Sequence, residues 1–248
     1  MSGTGKPRVA LVTGAAGTMG AAVARRLAAD GCRVVLLDVA RDHLQPILAE
    51  LGDVTHAVTA DISDADACDR AMNEAERSLG PVDILVNNAG ILSNHKAAET
   101  SPDEWRRVLS INLDGAFYLS RRVLPGMKAR RFGRIVNVCS LAMKSGGLTA
   151  GTAYTASKGA LAALTFSLAR EAAPFGVTVN AISPAYVRTP MVTEQLTEAQ
   201  RQALLAQIPV GRFCEPEEFA HCVAFLVSPL SGFITGEILD LNGGLHFD

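Results

Sequence analysis

The sequence predicts an α/β protein built on a single doubly wound, mostly parallel sheet with helices on both faces. Short β-branched runs, apolar on both faces, alternate along the chain with longer stretches of helical periodicity. No linker, repeat or low-complexity segment interrupts that alternation. The 248 residues, 48% of them hydrophobic, suffice for one large core, whereas two domains would each be small. Residues 1–248 are therefore read as one domain.

Taken in order, a first strand over Arg8 to Val12 runs into Thr13-Gly14-Ala15-Ala16-Gly17-Thr18-Met19-Gly20 and then an alanine-rich helix. Glycines let the backbone turn tightly and approach a pyrophosphate, whose charge a helix N-terminus favours. A second strand, Arg33 to Leu37, ends at Asp38. A carboxylate there accepts hydrogen bonds from an adenosine ribose and repels a 2′-phosphate; the alternative is an exposed turn aspartate. Val54 to Ala57 and Ile84 to Val86 read as the third and fourth strands. Ser101-Pro102-Asp103-Glu104 then supplies an N-cap, a proline at N1 and a glutamate at N3, predicting a long helix toward Met127. Arg134 to Val138 and Val177 to Ile182 are the fifth and sixth strands. Ligands of such a sheet bind at the carboxyl ends of its strands.

Between the last two of these strands, a helix over Ala153 to Ala173 would place Tyr154 and Lys158 one turn apart on one face. A tyrosine hydroxyl, with an ordinary pKa of about 10, is a poor acid or base near neutrality. A neighbouring ammonium favours the phenolate, which suits proton transfer to a carbonyl or from an alcohol. Taken alone, the spacing also arises by chance on a surface helix.

A formal net charge of -2 and the lack of a basic tail give no support for nucleic-acid or anionic-membrane binding. No apolar run approaches the ~18 residues of a membrane span, and Met1 to Pro7 lacks a signal-peptide core, so a soluble, cytoplasmic protein is expected. Cys32, Cys68, Cys139, Cys214 and Cys222 are scattered without C-x-x-C spacing, which favours reduced, packed thiols over disulfides or a metal site.

These pieces together resemble the short-chain dehydrogenase/reductase family, in its compact branch, over nearly the whole chain. The matching residues are the glycine turn, Asp61-Ile62, Asn87-Asn88-Ala89-Gly90, Asn112, Ser140, Tyr154, Lys158, Pro184 to Thr189, and Asn242-Gly243-Gly244. The resemblance implies a Rossmann-type sheet and an oxidoreductase moving a hydride between a nicotinamide and a small secondary alcohol or its ketone. It makes Tyr154 the general acid/base, Lys158 its activator and a hold on the nicotinamide ribose, Ser140 the donor to the substrate oxygen, and Asn112 the anchor of a relay water. Ser140 and Asn112 each also have a plain structural reading, as a turn residue and a locally satisfied helix amide. Gly14, Gly17, Thr18 and Met19 would face the phosphates, Asp38 the ribose, Asp61 and Ile62 the adenine. Asn88, Ala89 and Gly90 would meet the adenosine-side ribose, and Pro184, Val187 and Thr189 the nicotinamide. Val39 follows Asp38, and Ala15 and Ala16 stand where phosphate-binding relatives place basic residues, so NAD is expected over NADP, with Arg41 near enough to soften the preference.

Three departures from the family pattern stand out: Thr18 replaces the middle glycine of the usual turn, Ala185 replaces a glycine, and Ser140 lies one residue further than usual from Tyr154, which lengthens the Leu141 to Ala153 loop by a residue. A lid over Met191 to Val210, with Ser93 to Lys96, Met143, Lys144 and Tyr186, is expected to line the substrate side; His95 and Tyr186 are its substrate-binding candidates. Arg121, Arg122, Lys128, Arg130, Arg131 and Arg134 form a basic cluster, yet Phe175 stands where carrier-protein reductases carry a second basic residue. A free small hydroxy or keto compound is therefore preferred, with a 3-oxoacyl (CoA or carrier-protein) reductase as the alternative. A non-catalytic dinucleotide sensor and a dehydratase or epimerase are remoter rivals. The resemblance also implies a homotetramer, assembled by pairing the two long helices, about Pro102 to Met127 and Ala153 to Ala173, and by packing the final strand against a symmetry mate.

Overall fold

The computed structural model describes residues 6–190, 194 and 197–247. Its strands are β1 Val9–Thr13, β2 Arg33–Asp38, β3 Thr55–Thr59, β4 Ile84–Asn87, β5 Gly133–Val138, β6 Val177–Pro184 and β7 Ile238–Leu241. They form one parallel sheet in the order β3-β2-β1-β4-β5-β6-β7. The helices are α1 Thr18–Ala29, α2 Gln45–Leu51, α3 Ala65–Leu79, α4 Pro102–Leu109, α5 Gly115–Arg130, α6 Ala142–Ser145, α7 Thr152–Ala172, α8 Glu198–Leu205 and α9 Pro216–Val227. This is the α/β, Rossmann-like architecture the alternating runs predict. No described helix is long and apolar enough to cross a membrane.

Strand side chains alternate between two apolar layers, as a pleat with both faces buried requires. Val9 and Leu11 of β1 and Val35 and Leu37 of β2 pack with Met72 of α3 and Leu119, Val123 and Met127 of α5. Ala10, Val12, Val34 and Leu36 point the other way, onto Val23 and Leu27 of α1 and Phe219 and Val223 of α9. Strand order reverses between β1 and β4, which opens a crevice at the carboxyl ends of these strands.

Two expectations need correction. The long helix starts as read, with the Ser101 hydroxyl accepting from the Glu104 N–H at 3.1 Å, but it is not uniform. Ser110–Asp114 winds as a π-turn between α4 and α5. Apolar periodicity runs through this point, so nothing local marks the wider turn. The stretch between Ser140 and Tyr154 is not all loop either: it contains α6, followed by Gly146 and Gly147 in left-handed conformations.

Candidate active site

The glycine turn sits between β1 and α1, and its shape follows from its sequence. Gly14 adopts φ +63°, open to glycine at little cost, and its carbonyl accepts from the Gly17 N–H at 3.1 Å. A side chain at Gly20 would lie 2.2 Å from that carbonyl. Thr18 takes the first position of α1, so the replaced glycine leaves both the turn and the free helix N-terminus intact. Thr13 and Asn88 brace the turn from behind. The Thr13 hydroxyl accepts from the N–H groups of Asn88 and Ala89 at 3.0 and 2.9 Å, and the Asn88 amide donates to the Thr13 and Gly14 carbonyls at 2.9 and 3.3 Å.

At the end of β2 the Asp38 carboxylate accepts from the N–H groups of Ala16 and Val39, at 3.0 and 2.8 Å, which ties it to the glycine turn. Arg41 turns away and donates to the Ala57 carbonyl of β3 at 3.5 Å. Asp61 accepts from both the hydroxyl and the N–H of Ser63, which hold its carboxyl below the usual range, with Arg107 adding a smaller pull.

The reactive groups meet around Gly90. A methyl group there would lie 3.1 Å from Asn112 Oδ1 and 3.4 Å from Lys158 Nζ, so the absent side chain is what lets the two approach. Lys158 is 4% exposed, and its Nζ donates to the Val138 carbonyl at 2.6 Å, 5.7 Å from the Tyr154 ring centre. The Asn112 amide, at the π-turn, accepts from Ile91 N–H at 2.8 Å and donates to the Ile91 carbonyl and the Ser157 hydroxyl. Ser157 in turn donates to the Tyr154 carbonyl at 2.7 Å. Ser140 follows β5, its hydroxyl accepting from Ala142 N–H at 3.2 Å. Its neighbour Cys139 is a buried thiol pushed up to about 11 by desolvation, which removes it as a nucleophile.

Gly14, Gly17, Thr18, Gly20, Asp38, Asp61, Asn88, Gly90, Ser140, Tyr154 and Lys158 border one cavity of about 920 Å³ along the carboxyl ends of the strands, whereas Thr13, Asn112 and Ser157 do not reach it. Gly14, Thr18 and Asp38 line it with Asp61 and Ile62 at the ends of β1, β2 and β3; Ser140, Tyr154 and Lys158 line it beside β5 and α7. A family model described as enoyl-(acyl carrier protein) reductase matches residues 14–246. The acetoacetyl-CoA reductase of Shinella zoogloeoides is 40% identical over 97% of this chain and 99% of its own length. The 3-oxoacyl-[acyl-carrier-protein] reductase FabG of Vibrio cholerae is 40% identical over 96% of this chain and 97% of its own. The acetoacetyl-CoA reductase of Rhizobium meliloti is 40% identical over 97% and 99%.

The chain belongs to the short-chain dehydrogenase/reductase family. It is an oxidoreductase of that family, whose members use a nicotinamide dinucleotide. The residues present fit that group: an α1 N-terminus behind a bare glycine turn for the pyrophosphate, a carboxylate at the end of β2 for a ribose, and a cavity long enough to join them to Tyr154.

Ala89, Gly90, Pro184, Tyr186, Val187 and Thr189 also border the cavity, as does Met19. His95 does not. Its imidazole sits 2.8 Å from the Glu104 carboxylate, which raises its pKa, on the outside of the cavity wall. Ser93, Lys96, Met143 and Lys144 are likewise behind the wall; Lys144 pairs with Asp240 of β7 at 2.7 Å. Of the expected lid, 191–193 and 195–196 lie outside the described residues, while Gln207 reaches the cavity. Sequence reasoning missed His43, Arg107, Ser145, Thr149 and Gln207 among the residues that line the cavity. Solitary polar residues in turns carry no pattern that would single them out.

Proposed function

We propose that the chain is an NAD(H)-dependent 3-oxoacyl thioester reductase acting on a short acyl-CoA. What carries the reading is similarity at 40% identity, over nearly the full chain, to relatives named for acetoacetyl-CoA and 3-oxoacyl-carrier-protein reduction. It replaces the preference for a free small ketone that sequence alone favours. A nicotinamide held by the glycine turn, Asp38 and Lys158 would supply hydride chemistry at the 3-oxo carbon. Around the carbonyl oxygen, the Ser140 hydroxyl donates a hydrogen bond and the Tyr154 hydroxyl gives up its proton as the alkoxide forms. Lys158 is fixed by the Val138 carbonyl with its Nζ 5.7 Å from the centre of that ring. Asn112 locks Ile91 against α7 and so holds the Tyr154 turn in register.

Coenzyme A is favoured over a carrier protein because most of the basic cluster is spent within the subunit. Lys128 pairs with Glu171, Arg122 with Glu76 and Arg130 with Asp83, and Arg134 is buried on backbone carbonyls. Phe175 lies under the Lys128 ammonium at 5.2 Å. NAD is favoured over NADP because the Asp38 carboxylate at the end of β2 is tied to the glycine turn, where it would meet a ribose, while Arg41 points to β3. The second reading, a free polar hydroxy or keto compound, rests on Ser145, Thr149, Tyr186, Gln207 and His246, which line the substrate side with hydrogen-bonding groups. The test compares kcat/KM with NADH for acetoacetyl-CoA, acetoacetyl-carrier protein and a panel of free ketones. The CoA ester is expected to lead; a free ketone turned over tenfold more efficiently overturns the assignment.

A further inference from the structure

We infer that Lys96 is a positioning residue that staples the substrate wall of the cavity in place next to Tyr154. Its Nζ donates to the Gly147 carbonyl at 2.6 Å and to the Ala150 carbonyl at 2.7 Å. These two acceptors bracket Leu148 and Thr149, which with Ala150 line the cavity. The bracketed stretch has few other holds: Gly146 and Gly147 are both left-handed at φ +73° and +74°, Leu148 is 72% exposed, and the Thr149 hydroxyl meets the Tyr186 hydroxyl at 3.5 Å, the limit of a hydrogen bond. Consecutive glycines carry the largest backbone entropy to be lost on ordering, and a three-donor ammonium fixes two carbonyls at once.

The staple continues into α7. Gly151 N–H donates to the Ser93 carbonyl at 2.6 Å and Thr152 N–H to the His95 carbonyl at 3.0 Å, which fastens the first turn of the helix that carries Tyr154. The segment giving these carbonyls is itself fixed to α4, because Glu104 accepts from the Ser93 hydroxyl and grips His95. Charge, loop and catalytic helix thus form one connected chain, on the substrate side and away from the Asp38 end of the cavity.

This inference uses catalysis at Tyr154 but not the identity of the acyl group. In the test, Lys96→Met keeps the stem and loses the ammonium, while Lys96→Arg restores two forked donors. With acetoacetyl-CoA as substrate, Lys96→Met is expected to raise KM roughly tenfold, the effect of losing charge-assisted hydrogen bonds, while NADH affinity measured by fluorescence stays within about twofold. Lys96→Arg is expected to recover most of that KM. Amide hydrogen exchange across 147–152 is expected to quicken in Lys96→Met and not elsewhere. An unchanged KM, unchanged exchange across 147–152, or parallel loss of NADH affinity overturns the inference. If the wild-type protein leaves acetoacetyl-CoA untouched, the thioester reading fails, and the exchange measurement alone decides the role of Lys96.

Discussion

Replacing Asn112 with alanine removes three hydrogen bonds from a position only 1% exposed. Ile91 loses partners for both its N–H, at 2.8 Å, and its carbonyl, at 3.0 Å; Ser157 loses a donor at 3.1 Å but still donates to Tyr154. Orphaning a buried polar group costs about 1–3 kcal/mol, so with partial overlap among neighbours the sum is about 3–5 kcal/mol. At ~2–4 °C per kcal/mol for a chain of this size, Tm falls by roughly 6–20 °C. The same change loosens Ile91 and the turn beneath Tyr154, so kcat falls at least ~10-fold even well below the new Tm. Circular-dichroism melts at fixed protein concentration, paired with initial rates at 20 °C or below, check both numbers. A Tm within 2 °C of wild type together with kcat within twofold would refute the view that this amide ties Ile91 to the catalytic helix.

Asp38→Ala should shrink the preference for NADH over NADPH at least ~10-fold, read from the ratio of kcat/KM values, because it removes the charge that repels a 2′-phosphate; an unchanged ratio means Asp38 does not face the ribose. Ser140→Ala should lower kcat by ~10²-fold with NADH binding intact, the loss expected for one donor to a developing oxyanion. Arg212 grips Glu218 with two bonds, at 2.6 and 2.7 Å, and together with the Glu215 N–H holds its carboxyl down to about 2. Because that value is below the unfolded one, the stabilisation is complete above about pH 4.3 and is lost as pH falls toward 2. Glu218→Gln should therefore lower Tm by about 1–3 °C at pH 6 and by roughly a quarter of that at pH 2.5, a difference calorimetry resolves; a pH-independent gap contradicts the pairing. Phe117 and Phe166 on α5 and α7, and Leu230 and Phe233 near β7, are left exposed in the single chain, which fits a homotetramer. Light scattering should return four times the 26.1 kDa chain mass, and a monomeric mass at micromolar concentration rules it out.

What was legible in the sequence was what local spacing encodes. The glycine turn, Asp38 at a strand end and the Tyr154–Lys158 pair each sit within a few residues of a strand or helix boundary, and the structure gathers them on one cavity. Six strands were located within a residue or two. β7 had no stated bounds because four half-buried residues give too short a pattern. The π-turn at Asn112 left no trace, since the apolar faces of α4 and α5 continue across it. The substrate side was least legible. Ser93, His95, Lys96 and Lys144 belong to the stretches expected to line the substrate side, yet their side chains point to Glu104, to backbone carbonyls and to Asp240. Which way such residues face is set by partners some ten to a hundred residues away, and no local propensity reports it.

The most direct test of the whole account is Tyr154→Phe, assayed for acetoacetyl-CoA reduction by loss of NADH absorbance, with NADH affinity measured in parallel. Only the hydroxyl is removed: Lys158 stays on the Val138 carbonyl, and the Asn112 to Ser157 link is untouched. The account predicts that kcat falls ~10²- to 10⁴-fold or more while NADH binds within about twofold of wild type. Turnover near the wild-type rate in Tyr154→Phe would contradict it.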